Sequence, residues 1–117
     1  MNTDITIYHN PRCSKSRAAL ELLRERGYEP RIVEYLKDPP SESELSDILN
    51  MLGMEPRELM RHKEEEYARA NLDDPDLTRR ELIKALRDYP RLIERPIVLA
   101  NGKAALGRPP ESVLDIL

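Results

Sequence analysis

The chain has one cysteine, four glycines, no tryptophan and no phenylalanine in 117 residues. A single thiol excludes an internal disulfide, and with it any dithiol–disulfide cycle confined to one chain. It also fits a reducing compartment, most simply the cytoplasm. Without Trp or Phe the core has to be aliphatic, and aromatic platforms for stacking bases reduce to five tyrosines. No apolar run approaches the roughly 18 residues of a membrane span. The start, Met1-Asn2-Thr3-Asp4, lacks the basic and apolar regions of a secretory signal. A net charge of -3 gives general nucleic-acid binding no electrostatic support. Charged residues reach 35% with both signs mixed, the pattern of solvated helix faces. The expectation is one cytoplasmic domain with neither nucleic acid nor membrane as partner, and the length suits a single domain spanning 1–117.

What is present reads as alternating elements. Ile5-Thr6-Ile7-Tyr8 is a β-branched strand, ended by Asn10-Pro11. Residues 14–26 turn helical, with Ala19, Leu22 and Leu23 on one face and Gly27 as the stop. Residues 31–36 read as a second strand, so the first two strands should be parallel. Ser41 with Glu44 and Thr78 with Glu81 match capping boxes, each followed by apolar residues at helical spacing. Pro56 suits the first turn of another helix, whose face would carry Met60, Glu64 and Tyr67. Residues 71–76 read as a loop, and about 40–92 as an all-helical insert. Pro96-Ile97-Val98-Leu99-Ala100 is a buried-strand pattern, Asn101-Gly102 the strongest two-residue hairpin signal, and 103–106 the returning strand. Residues 111–117 read as a terminal helix. The order is βαβ, helices, ββα.

Chemistry concentrates at Cys13, within His9-Asn10-Pro11-Arg12-Cys13-Ser14-Lys15-Ser16-Arg17. At a helix start the unpaired N–H groups of Ser14, Lys15 and Ser16 point toward the sulfur, and the helix dipole favours an anion there. Arg12, Lys15 and Arg17 add positive charge, so the thiol pKa is expected to fall. An inert buried cysteine is the alternative. The same N–H groups suit an oxyanion. Position 16 is Ser, not Cys, so an outside thiol must resolve any adduct. His9 either stabilises the thiolate as imidazolium or packs structurally. Arg61, Arg95 and Arg108 are either surface arginines or forked clamps for an oxyanion. Arg95-Pro96, at a strand start, is a place where a cis bond occurs. No metal-ligand spacing is evident, and no bound cofactor is implied.

Taken with Glu58-Leu59-Met60-Arg61, Glu94-Arg95-Pro96-Ile97-Val98, Gly107-Arg108-Pro109 and Val113-Leu114-Asp115-Ile116-Leu117, the cysteine segment resembles the glutaredoxin-coupled arsenate reductases over essentially the whole chain. The resemblance implies an α/β, thioredoxin-like fold with a helical insertion. It implies that Cys13 attacks arsenate to form a thiol–arsenate adduct, with His9 favouring the thiolate and Ser16 bonding to the sulfur. Arg61, Arg95 and Arg108 would hold the oxyanion. Glutathione, as co-substrate, and glutaredoxin would complete reduction to arsenite. Where arsenate reductases proper carry small residues around the cysteine, this chain has Arg12, Ser14 and Lys15. Arg12 and Lys15 keep open a glutathione-linked thiol enzyme with another substrate, and the charged helical insert keeps open a non-catalytic regulator of the Spx type that binds a protein partner.

Overall fold

The computed structural model describes residues 4–117, which form two compact units. One holds the described residues up to Asp38 together with Arg95–Leu117; the other is Pro39–Glu94.

The first unit is built on a four-stranded sheet, ordered β2-β1-β3-β4. Its strands are β1 (Ile5–His9), β2 (Arg31–Glu34), β3 (Ile97–Ala100) and β4 (Lys103–Leu106). β1 and β2 are parallel, as the intervening helix α1 (Ser14–Glu25) allows, with Ile7 opposite Ile32 and His9 opposite Glu34. β3 runs antiparallel to both β1 and β4. Asn101 and Gly102 join β3 to β4 with φ of 56° and 72°. Two successive positive φ values define the hairpin turn whose twist matches the strands, and Asn-Gly tolerates them best. Asn101 Nδ2 also donates to Ile116 O at 2.8 Å, tying the hairpin to the chain's last segment. That segment, Pro110–Ile116, is a 3-10 helix and not the α-helix expected over 111–117. It is short, follows Pro109 and begins at Pro110. Its Val113 and Ile116 join Ile5, Ile7, Ala19, Leu20, Leu23, Val98 and Ala100 in an aliphatic core, which forms without Trp or Phe.

In the second unit both capping boxes form. Ser41 caps α2 (Glu42–Leu52) by accepting from the Glu44 N–H, and Glu44 accepts from the Ser41 N–H. Thr78 and Glu81 do the same for α4 (Arg79–Asp88). Each box satisfies donors at a helix start that would otherwise lack partners. Gly53 ends α2 at a φ of 66°, where a Cβ would be strained. Leu45, Ile48 and Leu49 of α2 and Leu82, Ile83 and Leu86 of α4 are buried.

The helix expected from Pro56 onward is broken. Pro56–Leu59 makes one 3-10 turn, and α3 spans only Glu65–Arg69. Between them Met60 is extended and bridges Ile93, while the Arg61 N–H donates to Leu92 O at 2.7 Å. Burying Met60 in this pairing takes the backbone out of the helical region, so Met60, Glu64 and Tyr67 do not share one helix face. Arg57 holds the following loop, its Nε donating to Leu72 O at 2.9 Å and its Nη2 to Asp74 O.

One close approach shapes the first unit. The Gly107 N–H donates to Pro96 O at 2.9 Å, and a Cβ at Gly107 would lie 2.7 Å from Pro96 Cγ and 3.2 Å from Ala19 Cβ. A methyl group there has nowhere to go without moving the Pro96 ring. Gly107→Ala should therefore destabilise the protein by about 1–3 kcal/mol through overpacking. Urea denaturation at neutral pH checks this, and an unchanged midpoint would show that the seam opens freely.

Candidate active site

β1 ends at His9, and the chain turns at once into α1. Asn10 shapes that turn twice: its backbone oxygen accepts from the Cys13 N–H and its Oδ1 from the Arg12 N–H, each at 3.0 Å. Arg17 Nη1 donates back to Pro11 O at 3.0 Å and closes the loop. Cys13 becomes the N-cap of α1, half-buried and with extended backbone. Ser, Thr, Asp or Asn usually occupy that position because their oxygens accept the first helical N–H groups. The first turn also contains no acidic residue. Instead Lys15 and Arg17 put positive charge at the positive end of the helix, which suits the helix only if an anion sits there.

The Cys13 thiol has its pKa lowered from the ordinary value. Burial pushes it up. The backbone N–H groups of Ser16 and Lys15 and the Arg95 guanidinium, by charge and by side-chain hydrogen bonding, push it further down. The sequence pointed to Arg12, Lys15 and Arg17 as the source of positive charge. The structure corrects this: the cation acting on the sulfur is Arg95. Arg12 and Lys15 are exposed at the surface of the loop, and Arg17 is turned to Pro11 O.

Ser16 is fully buried. Its Oγ lies 2.6 Å from His9 Nδ1 and accepts from the Asn10 N–H at 3.0 Å. The side chain therefore braces the strand–helix turn, and it is the Ser16 main chain that favours the thiolate. His9 is buried, and burial lowers its pKa; the charges of Arg24 and Arg17 act the same way, while Glu34 opposes them in part. Of the two readings of His9 left by the sequence, the geometry favours a neutral imidazole that orders Ser16.

Arg95 and Arg108 stand on the two turns joined by the Pro96–Gly107 seam. Both precede cis prolines, Pro96 and Pro109; the first was foreseen as a possible cis site and the second was not. Arg108 Nε donates to Arg95 O at 2.8 Å. The first unit thus brings together Cys13, His9, Ser16, Arg95 and Arg108. Arg61 belongs to the second unit, where its Nη1 pairs with Glu64 Oε1 at 2.7 Å. Asn10 and Gly107 were not singled out from the sequence. Asn10-Pro11 carried the signal of a turn, and Gly107 that of a residue held small beside prolines. Among the described residues no group of three His, Cys, Asp or Glu side chains is placed to hold a metal ion, and no helix is long and apolar enough to cross a membrane.

A single activated thiol at the first helix of a mixed sheet defines a thiol domain of the thioredoxin-like fold. The ArsC family model matches residues 8–116. The chain is 55% identical over 118 residues to the uncharacterized protein YfgD of Escherichia coli strain K12, covering 100% of this chain and 99% of that protein. It is 55% identical over 115 residues to an arsenate reductase of Neisseria meningitidis serogroup A, covering 97% and 98%. A solved structure of arsenate reductase from Vibrio cholerae superposes with a TM-score of 0.97 at 48% identity, over 100% of both chains. The chain belongs to the ArsC family.

Two measurements test the site. The pH midpoint of Cys13 alkylation should lie below that of an ordinary thiol and move up in Arg95→Ala, with Arg95→Lys between them. An unmoved midpoint would mean that Arg95 does not charge-stabilise the sulfur. For His9 the folded pKa is depressed, so the unfolded chain binds the extra proton more readily. Its contribution to stability is complete above the unfolded value near 6.5 and falls as pH drops toward the folded value. His9→Gln should flatten the loss of stability over that acidic window in denaturation curves taken at several pH values.

Proposed function

We propose that this protein is an arsenate reductase that works through Cys13 and an external thiol. The reading is carried by the Cys13 sulfur at the N-cap of α1 with Arg95 favouring its thiolate. Support comes from relatives named arsenate reductase that match nearly end to end.

In the proposed reaction the thiolate attacks the arsenic of arsenate. Arginine side chains and helix-start N–H groups hold its oxygens, and one oxygen leaves as water after protonation. Arg95 and Arg108 supply guanidinium groups from the first unit, and the family resemblance gives Arg61 the same task. The product is a Cys13–S–As(V) adduct. A glutathione thiol then attacks the Cys13 sulfur. The S–As bond breaks with its electron pair moving onto arsenic, which leaves as arsenite. The two sulfurs are oxidised together to a mixed disulfide, so two electrons pass from two thiols to one arsenic. Glutaredoxin takes the glutathionyl group and frees Cys13. Position 16 is Ser, so the chain has no second thiol for this step and an outside reductant is part of the scheme. The reaction is proposed to run in the cytoplasm, where glutathione is abundant and reduced.

A coupled assay with arsenate, glutathione, glutaredoxin and NADPH checks the reading. Turnover should be lost in Cys13→Ser. Serine is the better N-cap, so that variant should be as stable as the parent or more stable by up to about 1 kcal/mol. Loss of activity then cannot be attributed to unfolding. No turnover above the Cys13→Ser background would exclude arsenate as the substrate. A glutathione adduct on Cys13 in that event would point to another substrate for the same thiol.

A further inference from the structure

Glu64 stands between two arginines. Its Oε1 is 2.7 Å from Arg61 Nη1, and its Oε2 is 3.1 Å from Arg91 Nη2. Arg91 reaches on through Nη1 to Glu66 Oε2 at 3.7 Å. The two carboxylates are largely buried, with side-chain exposures of 15% and 10%, so these pairs are screened less than surface ion pairs. The backbone around them is pinned as well. The Arg61 N–H donates to Leu92 O at 2.7 Å, the Glu64 N–H to Arg61 O at 3.2 Å, and the Tyr67 N–H to Glu64 O at 3.1 Å. Glu64 also occupies the N-cap position of α3.

This arrangement goes beyond what a single surface pair does. With both oxygens of Glu64 engaged, its carboxylate cannot turn without giving up one arginine. Arg61, whose side chain is otherwise long and flexible, is thereby held in one orientation at one edge of its guanidinium. Positive and negative charges balance within the group of four. Glu64 is therefore not left to bind Arg61 at the full strength of an unshared carboxylate, because Arg91 draws on the same charge.

We infer that Glu64 is a positioning residue that pre-orients Arg61 for its oxyanion, with Arg91 and Glu66 balancing the charge. The inference rests on the reading of Arg61 as an oxyanion ligand. Orienting the fork in advance lowers the ordering cost of binding. It should act on the affinity for the oxyanion and leave the reactivity of the free thiol unchanged.

The test uses arsenate protection of Cys13 against alkylation, read as the arsenate concentration that halves the rate. It compares the parent with Arg61→Ala, Glu64→Ala, Glu64→Gln and the double variant Arg61→Ala/Glu64→Ala. Glu64→Ala should raise that concentration roughly tenfold with the arsenate-free alkylation rate unchanged; a tenfold loss corresponds to about 1.4 kcal/mol. Glu64→Gln keeps an acceptor for Arg61 and should fall between. The double variant should match Arg61→Ala alone, since Glu64 acts through Arg61. If Arg61→Ala weakens protection and neither Glu64 variant does, the positioning role is overturned while Arg61 stands as a ligand. If Glu64→Gln tightens protection, Glu64 competes with the oxyanion and the inference fails. If Arg61→Ala leaves protection unchanged, or arsenate does not protect the parent, the reading of Arg61 fails and takes the inference with it. Should Glu64→Ala not fold, Glu64→Gln decides alone.

Discussion

The seam between Pro96 and Gly107 fixes how the two turns of the first unit meet. There the backbone of one turn runs so close to the ring of the other that no side-chain atom fits between them. The seam closes with two hydrogen bonds, Gly107 N–H to Pro96 O at 2.9 Å and Arg108 Nε to Arg95 O at 2.8 Å. It lies at the open end of the β3–β4 hairpin, where Ile97 pairs with Leu106. At the far end Asn101-Gly102 sets the strand register. Two short strands of four residues each are thus held at both ends. Because Arg95 and Arg108 flank the seam, the constraint that closes the hairpin also sets where two guanidinium groups begin. Aliphatic burial around Val98 and Ala19 supplies the driving force, and the seam supplies the geometry.

The start of α1 shows the opposite balance between stability and chemistry. A thiol at the N-cap and basic residues in the first turn are both poor choices for the helix itself. The thiol becomes favourable there as an anion, held by the backbone N–H groups of Ser16 and Lys15 and by Arg95. The buried dyad of His9 and Ser16, together with Asn10, holds the turn in place from the strand side. The side chains that build the loop are therefore distinct from the group that reacts, and Cys13 stays half-buried.

Local signals in the sequence were legible and non-local ones were not. Ser41 with Glu44, Thr78 with Glu81, and Asn101 with Gly102 each act over two to four residues, and each formed the expected cap or turn. The βαβ start and the buried strand at Ile97–Ala100 also followed from pattern. The helix expected from Pro56 failed because Met60 is drawn into pairing with Ile93, a partner invisible to helical periodicity. The same distinction holds at the site. The place of Cys13 at a helix start could be read directly. The charge that acts on it could not, because Arg95 arrives from a turn far along the chain, just before β3. Ser16 was legible as a residue near the sulfur, but its side chain is taken up by His9, a contact across the turn that spacing does not reveal.

The peptide between Glu94 and Arg95 joins anchors of different kinds. Glu94 gives its N–H to Leu59 O at 2.8 Å, inside the helical unit. Arg95, the next residue, has its carbonyl held by Arg108 inside the sheet unit, and its guanidinium acts on the sulfur. In mechanical terms a single covalent link lies between the last hydrogen-bonded residue of the insert and the cation that sets the reactivity of the thiol. The hydrogen bond that ends the insert and the one that fixes the start of the sheet unit's second segment therefore fall on adjacent residues. Residues inserted at this junction would separate those two anchors along the chain.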